Sequence, residues 1–293
     1  MTKSRSFDEP DSPMTRPRVE FLRLDGVALT PSAAPAIGHG LRAAVLSAQP
    51  GDSGARSLLV RAEPYWCSHD GGVLEGDLEI LLLEGDLRLG ECEFARGSYA
   101  FLPRGLAVAG AETRSGFAAL WMSEGRDGLS QDSEPAAAYR EERKTGPLDV
   151  NAIAWQPVPD FPGRTSEEAG SGLKVRRLRT DPDTGAYTLM TRQAPGWCDP
   201  RLEAHETWEE LVLLQGDYLM GETGMITSGA YIFRPGEKPH GPQATRGGCV
   251  WFCRGEKEID FRFTEPEWSA PRCRQYLAQA APDPRPQLWG NWS

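Results

Sequence analysis

The sequence predicts an all-β protein built from two copies of one domain, and three observations carry that reading. Glycine and proline are abundant, 32 and 24 among 293 residues, which favours many short strands over long helices. Apolar segments rich in Val, Leu, Tyr, Phe and Trp recur roughly every ten residues between Gly, Pro and Asp turns, the spacing of a sandwich or barrel. Finally, the chain repeats itself. GARSLLVRAEPYWCSHDGG (54–72) lines up with GAYTLMTRQAPGWCDPRLE (185–203), so that Gly54, Arg61, Pro64, Trp66 and Cys67 fall on Gly185, Arg192, Pro195, Trp197 and Cys198 at a constant offset of 131. EILLLEGD (79–86) meets ELVLLQGD (210–217) in the same register, and GSYAFLPRG (97–105) meets GAYIFRPGE (229–237) one residue later, at 132. A period this long marks duplicated domains of about 110 residues, not a solenoid.

The elements follow in chain order. Residues 1–17 are polar, lack the apolar segment of a signal peptide and are expected to be a disordered leader. Residues 18–125 form the first copy. Residues 126–149, polar and charged with REERK at 140–144, are expected to be a solvated linker. The second copy spans 150–264. In the tail, 265–293, a short helical stretch around Cys273–Ala281 precedes a Pro-rich end whose Trp289 and Trp292 are expected to dock. Within the second copy the run Leu211, Val212, Leu213, Leu214 is apolar on both strand faces, so one face is expected to line a barrel and the other to pack on a further layer.

Bulk properties narrow the function. A formal net charge of −10 argues against nucleic acid or an anionic membrane as partner, since a phosphate surface needs a basic face. No apolar run approaches the ~18 residues of a membrane span. A cytoplasmic protein acting on a small molecule, as monomer or homodimer, is the expectation. The six cysteines include no CxxC pair and read as reduced thiols.

With only four histidines in the chain, one of them sits among carboxylates in EAHETWEELVLLQGD (203–217). Read as a strand, 203–209 puts Glu203, His205, Thr207 and Glu209 on one face. His240 follows in FRPGEKPHGP, after a Pro-Gly turn that could bring it back against that strand. His39 and His69 have no such partners and read as surface or loop residues. Tyr231, Phe233 and Trp251 are candidates for the wall around the cluster, but any β core contains such residues, and plain core is the favoured reading.

These residues resemble the two motifs of the cupin superfamily. The first is present as Glu203-x-His205-x3-Glu209-x6-Gly216, the second as Gly229-x5-Pro235-Gly236-x3-His240. With the duplication, the chain resembles a bicupin over roughly residues 18 to 264. The resemblance implies two tandem jelly-roll barrels and a divalent metal held by His205, Glu209 and His240. The sequence departs from the motif where Glu203 replaces the first histidine, which makes Glu203 either a fourth ligand or a group orienting His205. Glu210 competes with Glu209: alternation favours Glu209, whereas a bulge would favour Glu210. The closing Asn of the second motif is missing, and Gln243 is nearby but displaced.

The first copy sharpens the assignment. His205 falls on Leu74, Glu209 on Leu78 and His240 on Val108, while Gly85, Gly97 and Pro103 remain. Without an ion, buried charges cost too much and apolar residues take their place. Mixed imidazole and carboxylate ligands suit Fe(II), Mn, Ni or Zn. Two histidines and one carboxylate resemble the Fe(II) oxygenase arrangement, so a dioxygenase is the leading expectation, with Glu203 or Glu210 as ligand or general base. A Zn or Mn Lewis-acid isomerase, cyclase or hydrolase, and a non-catalytic binding or sensor protein, are the alternatives.

Overall fold

The structure is a computed structural model that describes residues 16–51, 54–158, 172–264, 268–280 and 287–292. Most of the expected leader lies outside the described residues. The chain is all-β, with a short helix, Ala270–Gln279, in its C-terminal tail. It divides into two compact units, Leu24–Ile153 and the combination of Met1–Arg23 with Ala154–Ser293. Each unit is a jelly-roll barrel of the cupin type.

In the C-terminal unit, the strands run in the order Val19–Arg23, Ala230–Arg234, Glu209–Met220, Cys249–Gly255, Tyr187–Gln193, Leu173–Thr180 and Gln156–Pro157. Glu209–Met220 is long because it serves two layers. Its first half pairs with Ala230–Arg234 and Cys249–Gly255, its second with Gly224–Thr227 and Gln243–Ala244. The corner between the halves is Gly216, at φ +90, where an added Cβ would lie 1.9 Å from the Gly248 carbonyl oxygen. Only glycine accepts both that backbone conformation and that approach.

The N-terminal unit repeats the plan with Thr145–Asp149, Ser98–Leu102, Asp77–Leu89, Phe117–Glu124, Arg56–Ala62 and Arg42–Ala48. Here the sequence reading needs correcting. Residues 126–149 are not a free linker: Leu129–Ser130 pairs with Cys67–Leu74, and Thr145–Asp149 forms the outer strand beside Ser98–Leu102. Val19–Arg23, expected in the first copy, is the outer strand of the C-terminal barrel instead. Outer strands bury little, and all five residues of Val19–Arg23 are only partly buried, so neither leaves a strong apolar signature in the sequence.

In the tail, the Trp292 carbonyl accepts from the Arg176 guanidinium (3.2 Å) and its N–H donates to Gln215 Oε1 (2.8 Å). Trp289 and Trp292 are both buried, as expected for a docked end. Cys67 is exposed and Cys198 half-buried; the other four thiols are buried.

Candidate metal centre

Three short segments build the cluster. Strand Leu202–Ala204 carries Glu203 and pairs with Arg262–Thr264. The backbones of Glu203 and His240 exchange both hydrogen bonds, each 2.9 Å, which pins the histidine-bearing turn to this strand. The continuous strand expected over 203–209 is absent: residues 205–208 bend, and the strand resumes at Glu209. The His205 carbonyl accepts from the Glu237 N–H at 2.6 Å, and a Cβ on Gly236 would lie 1.9 Å from the Glu206 oxygen. The Pro-Gly turn therefore presses directly on the bend, and glycine is what lets it approach.

Nδ1 of His205 lies 2.8 Å from the Thr207 carbonyl, and Nδ1 of His240 lies 3.0 Å from the Lys238 carbonyl. A carbonyl oxygen only accepts, so both Nδ1 atoms carry the proton and both Nε2 atoms present a lone pair inward. Those Nε2 atoms converge on one carboxylate, His205 at 3.5 Å from Glu209 Oε2 and His240 at 3.4 Å from Glu209 Oε1. The ligand atoms of His205, Glu209 and His240 all lie within 4.8 Å of one another. Glu203 Oε1 stands 3.1 Å from His240 Nε2. Lone pairs facing carboxylate oxygens at these distances need a proton or a cation between them. His205 Nε2 is buried with no hydrogen-bond partner among the described residues, an orphaned atom that a cation would satisfy. The donor set fits a divalent metal.

Electrostatics agree. Burial works to lower the His205 pKa, but Glu209, Glu203 and the Thr207 carbonyl together push it up to about 8. Burial works to raise the Glu209 pKa, but His205, His240 and Arg234 hold it well below the ordinary carboxylate range.

Arg234 is the residue that sequence reasoning passed over. Buried at the end of Ala230–Arg234, it reaches Glu209 Oε1 at 3.2 Å and Glu20 Oε1 at 3.0 Å. Although burial opposes it, Arg234 and Arg18 keep the Glu20 carboxyl below its usual range. The signal was present in the repeat, because Arg234 falls on Leu102, a fourth polar-to-aliphatic contrast beside the three ligands. Glu20 gave no signal, since nothing in the sequence places the first strand in this barrel.

Glu210, Tyr231 and Phe233 are corrected. Strand alternation sends Glu210 to the opposite face, where its Oε1 accepts from the Tyr231 hydroxyl and its Oε2 from Arg254 (3.2 Å). Phe233 lies on the same side under the Arg16 guanidinium, 5.3 Å from the ring centroid. None of the three faces the cluster. Their counterparts repeat the arrangement, with the Tyr99 hydroxyl donating to Glu79 and Arg143 over Phe101, so the set belongs to the scaffold. Trp251 lies apart from these three. It lines a cavity of about 340 Å³ together with Glu203, Glu209, Arg234 and His240, at the lower end of small-molecule sites.

A family model described as a domain of unknown function, DUF4437, matches residues 39–261. No curated protein matches the chain. Among solved structures, the chain is similar to a "putative dioxygenase" from Nostoc punctiforme PCC 73102, at 20% identity over 87% of this chain and 89% of that one, TM-score 0.72. It is similar also to the "Putative Glyoxylate Induced Protein" of Pseudomonas aeruginosa, at 15% identity over 78% and 83%, TM-score 0.52. Vicilin from Capsicum annuum shares 10% identity over 84% and 88%, TM-score 0.51. At such identities the likeness is one of fold.

Proposed function

The chain belongs to the DUF4437 family, and from that premise we propose that it is a metal-dependent enzyme acting on a small organic molecule, with the metal held only in its C-terminal barrel. His205, Glu209 and His240 are the ligands. The observation that carries this reading is the paired tautomer: both histidines spend their Nδ1 protons on backbone carbonyls and turn their Nε2 lone pairs toward one buried carboxylate. Arg234 pairs with that carboxylate and is itself held by Glu20. A divalent cation bound there would supply Lewis acidity and open coordination positions for substrate. Fe(II) with dioxygenation is the reaction we favour, because two imidazoles and one carboxylate leave such positions open. The fold-level likeness to the Nostoc protein is consistent with it.

One observation favours a second reading. Glu203 stands 3.1 Å from His240 Nε2, close enough to be a fourth ligand or to take a proton from substrate. A second carboxylate hardens the site and moves preference toward Mn or Zn, and toward Lewis-acid isomerisation, cyclisation or hydrolysis.

Metal content of the purified chain by mass spectrometry, beside the His205→Ala/His240→Ala double variant, tests the proposal. About one metal per chain is expected, lost in the variant. Iron with oxygen uptake supports the first reading; zinc or manganese with turnover indifferent to oxygen supports the second. No metal after reconstitution overturns both.

A further inference from the structure

We infer that the cavity selects a neutral, mainly apolar molecule bearing an acceptor oxygen, and that the Gln243 side-chain amide is the donor that reads that oxygen; this deepens, and rests on, the reading of the C-terminal barrel as the active one.

The first argument is the internal contrast. Beyond the metal cluster, the cavity is lined by Thr191, Gln193, Tyr218 and Gln243. In the strand registers of the other barrel these positions are Val60, Ala62, Leu87 and Ala111. A β-barrel of this sequence is content with aliphatic groups at all four, so the polar set answers to something other than folding. Three of the four are occupied with one another or with the wall. Gln193 Oε1 accepts from the Cys249 thiol at 3.1 Å, and its Nε2 donates to Thr191 Oγ1 at 3.5 Å. The Tyr218 hydroxyl donates to Gln243 Oε1. With the hydroxyl as donor, the amide turns its oxygen to Tyr218. It leaves Gln243 Nε2, on a side chain only 8% exposed, as a donor without a hydrogen-bond partner among the described residues. Gln243 lines the cavity, so an acceptor oxygen on a ligand can take that donor.

The second argument is charge. With a divalent cation bound, the carboxylates of Glu203 and Glu209 face it, while Arg234 is already paired with Glu209 and Glu20. At the exposed rim, Arg177 and Glu258 carry one charge of each sign. Inside the rim, among the described lining residues, Arg234 and His240 each have a carboxylate beside them, and an unpaired ligand charge in such a site is expensive. The remaining wall is apolar and aromatic, with Tyr187, Trp197, Leu211, Trp251 and Phe261.

Three probes of one shape separate the terms: acetophenone is neutral with an acceptor oxygen, benzoate is charged, and isopropylbenzene has no oxygen. Their affinities for the zinc-loaded full chain, and for its Gln243→Leu variant, are measured by ligand-observed NMR, with zinc quantified in every sample. Acetophenone is expected to bind about tenfold more tightly than either of the others. Its advantage over isopropylbenzene should vanish in Gln243→Leu at unchanged zinc content. Benzoate binding as well as acetophenone, binding of none of the three, or a preference that survives Gln243→Leu overturns the inference. The probe series on the parent chain decides the charge argument even if the variant fails to fold. Zinc bound without the preference sinks this inference and keeps the metal reading; the preference without zinc does the reverse.

Discussion

Gly85 in the N-terminal barrel and Gly216 in the C-terminal barrel turn the same corner, at φ +76 and +90, each with a carbonyl oxygen where a Cβ would sit. Beside them the outward pair Glu79–Tyr99 repeats as Glu210–Tyr231. Inside, the members of the metal cluster have no polar counterparts. Leu74, Leu78, Leu102, Val108 and Trp121 fill the first barrel in one apolar cluster, where the second has His205, Glu209, Arg234, His240 and Cys253. Even the backbone pairing is kept: Gly72 faces Val108 as Glu203 faces His240. The wall positions are fixed by the fold, whereas the interior is exchanged as a set. That pattern follows from the cost of buried charge, because each ionised member is tolerable only while its partners balance it. Trp121 on the position of Cys253 adds the volume term, filling one barrel where the other keeps a cavity.

The sharpest way to break this comparison is to exchange one member of the set alone. Arg234→Leu installs the residue of the other barrel but leaves the buried Glu209 without that cation, and the half-buried Glu20 with Arg18 alone. A loss of about 3–5 kcal/mol is expected in urea unfolding of the metal-free chain. A loss below about 1 kcal/mol would mean that the charges are not coupled and the interiors could have diverged one residue at a time.

The shared part of the scaffold gives a smaller effect. Glu79→Gln and Glu210→Gln each weaken a buried hydrogen bond from tyrosine on the outer face at a cost of about 1–3 kcal/mol, and Glu210→Gln costs more of that range because it also removes the charge facing Arg254. Metal content should stay at its parent level in both. Loss of metal in Glu210→Gln alone would return Glu210 to the site and undo its assignment to the scaffold.

How much of this was legible in the sequence depended on what each residue answers to. The duplication exposed the fold and the ligands together, because His205, Glu209 and His240 are local to two motifs and contrast with aliphatic counterparts. Arg234 is legible by the same subtraction, with Leu102 at its position, although arginine is not a metal-ligating residue type. Glu210, Tyr231 and Phe233 were misplaced by proximity in sequence. One position along a strand reverses the face, and their own repeats, Glu79, Tyr99 and Phe101, already marked them as scaffold. The outer strands Val19–Arg23 and Thr145–Asp149 were hidden for a different reason: which barrel an outer strand joins is decided by long-range pairing, and half-buried residues carry little pattern. The bend at 205–208 was likewise set by the turn pressing on it from residues 235–240.

The smallest expected effect is on pH, and it acts in opposite directions on the metal-free and metal-bound protein. His205 sits at about 8 in the folded chain against an ordinary 6.5, so its proton stabilises the metal-free fold by about 2 kcal/mol. That contribution is complete below pH 6.5 and is lost as pH rises through about 8. A metal needs the same Nε2 lone pair, so the proton competes with it. Apparent affinity for zinc should therefore rise about tenfold per pH unit up to about 8 and then level off, with Glu209, held far below this range, contributing no slope. The N-terminal barrel, with leucine at the equivalent position, gives no such term. Zinc titrations at pH 6, 7, 8 and 9, followed by the metal-dependent shift in melting temperature, would show the slope and its plateau. An affinity flat across that range would mean that His205 Nε2 does not meet the metal, and the difference between the two interiors would then need another explanation.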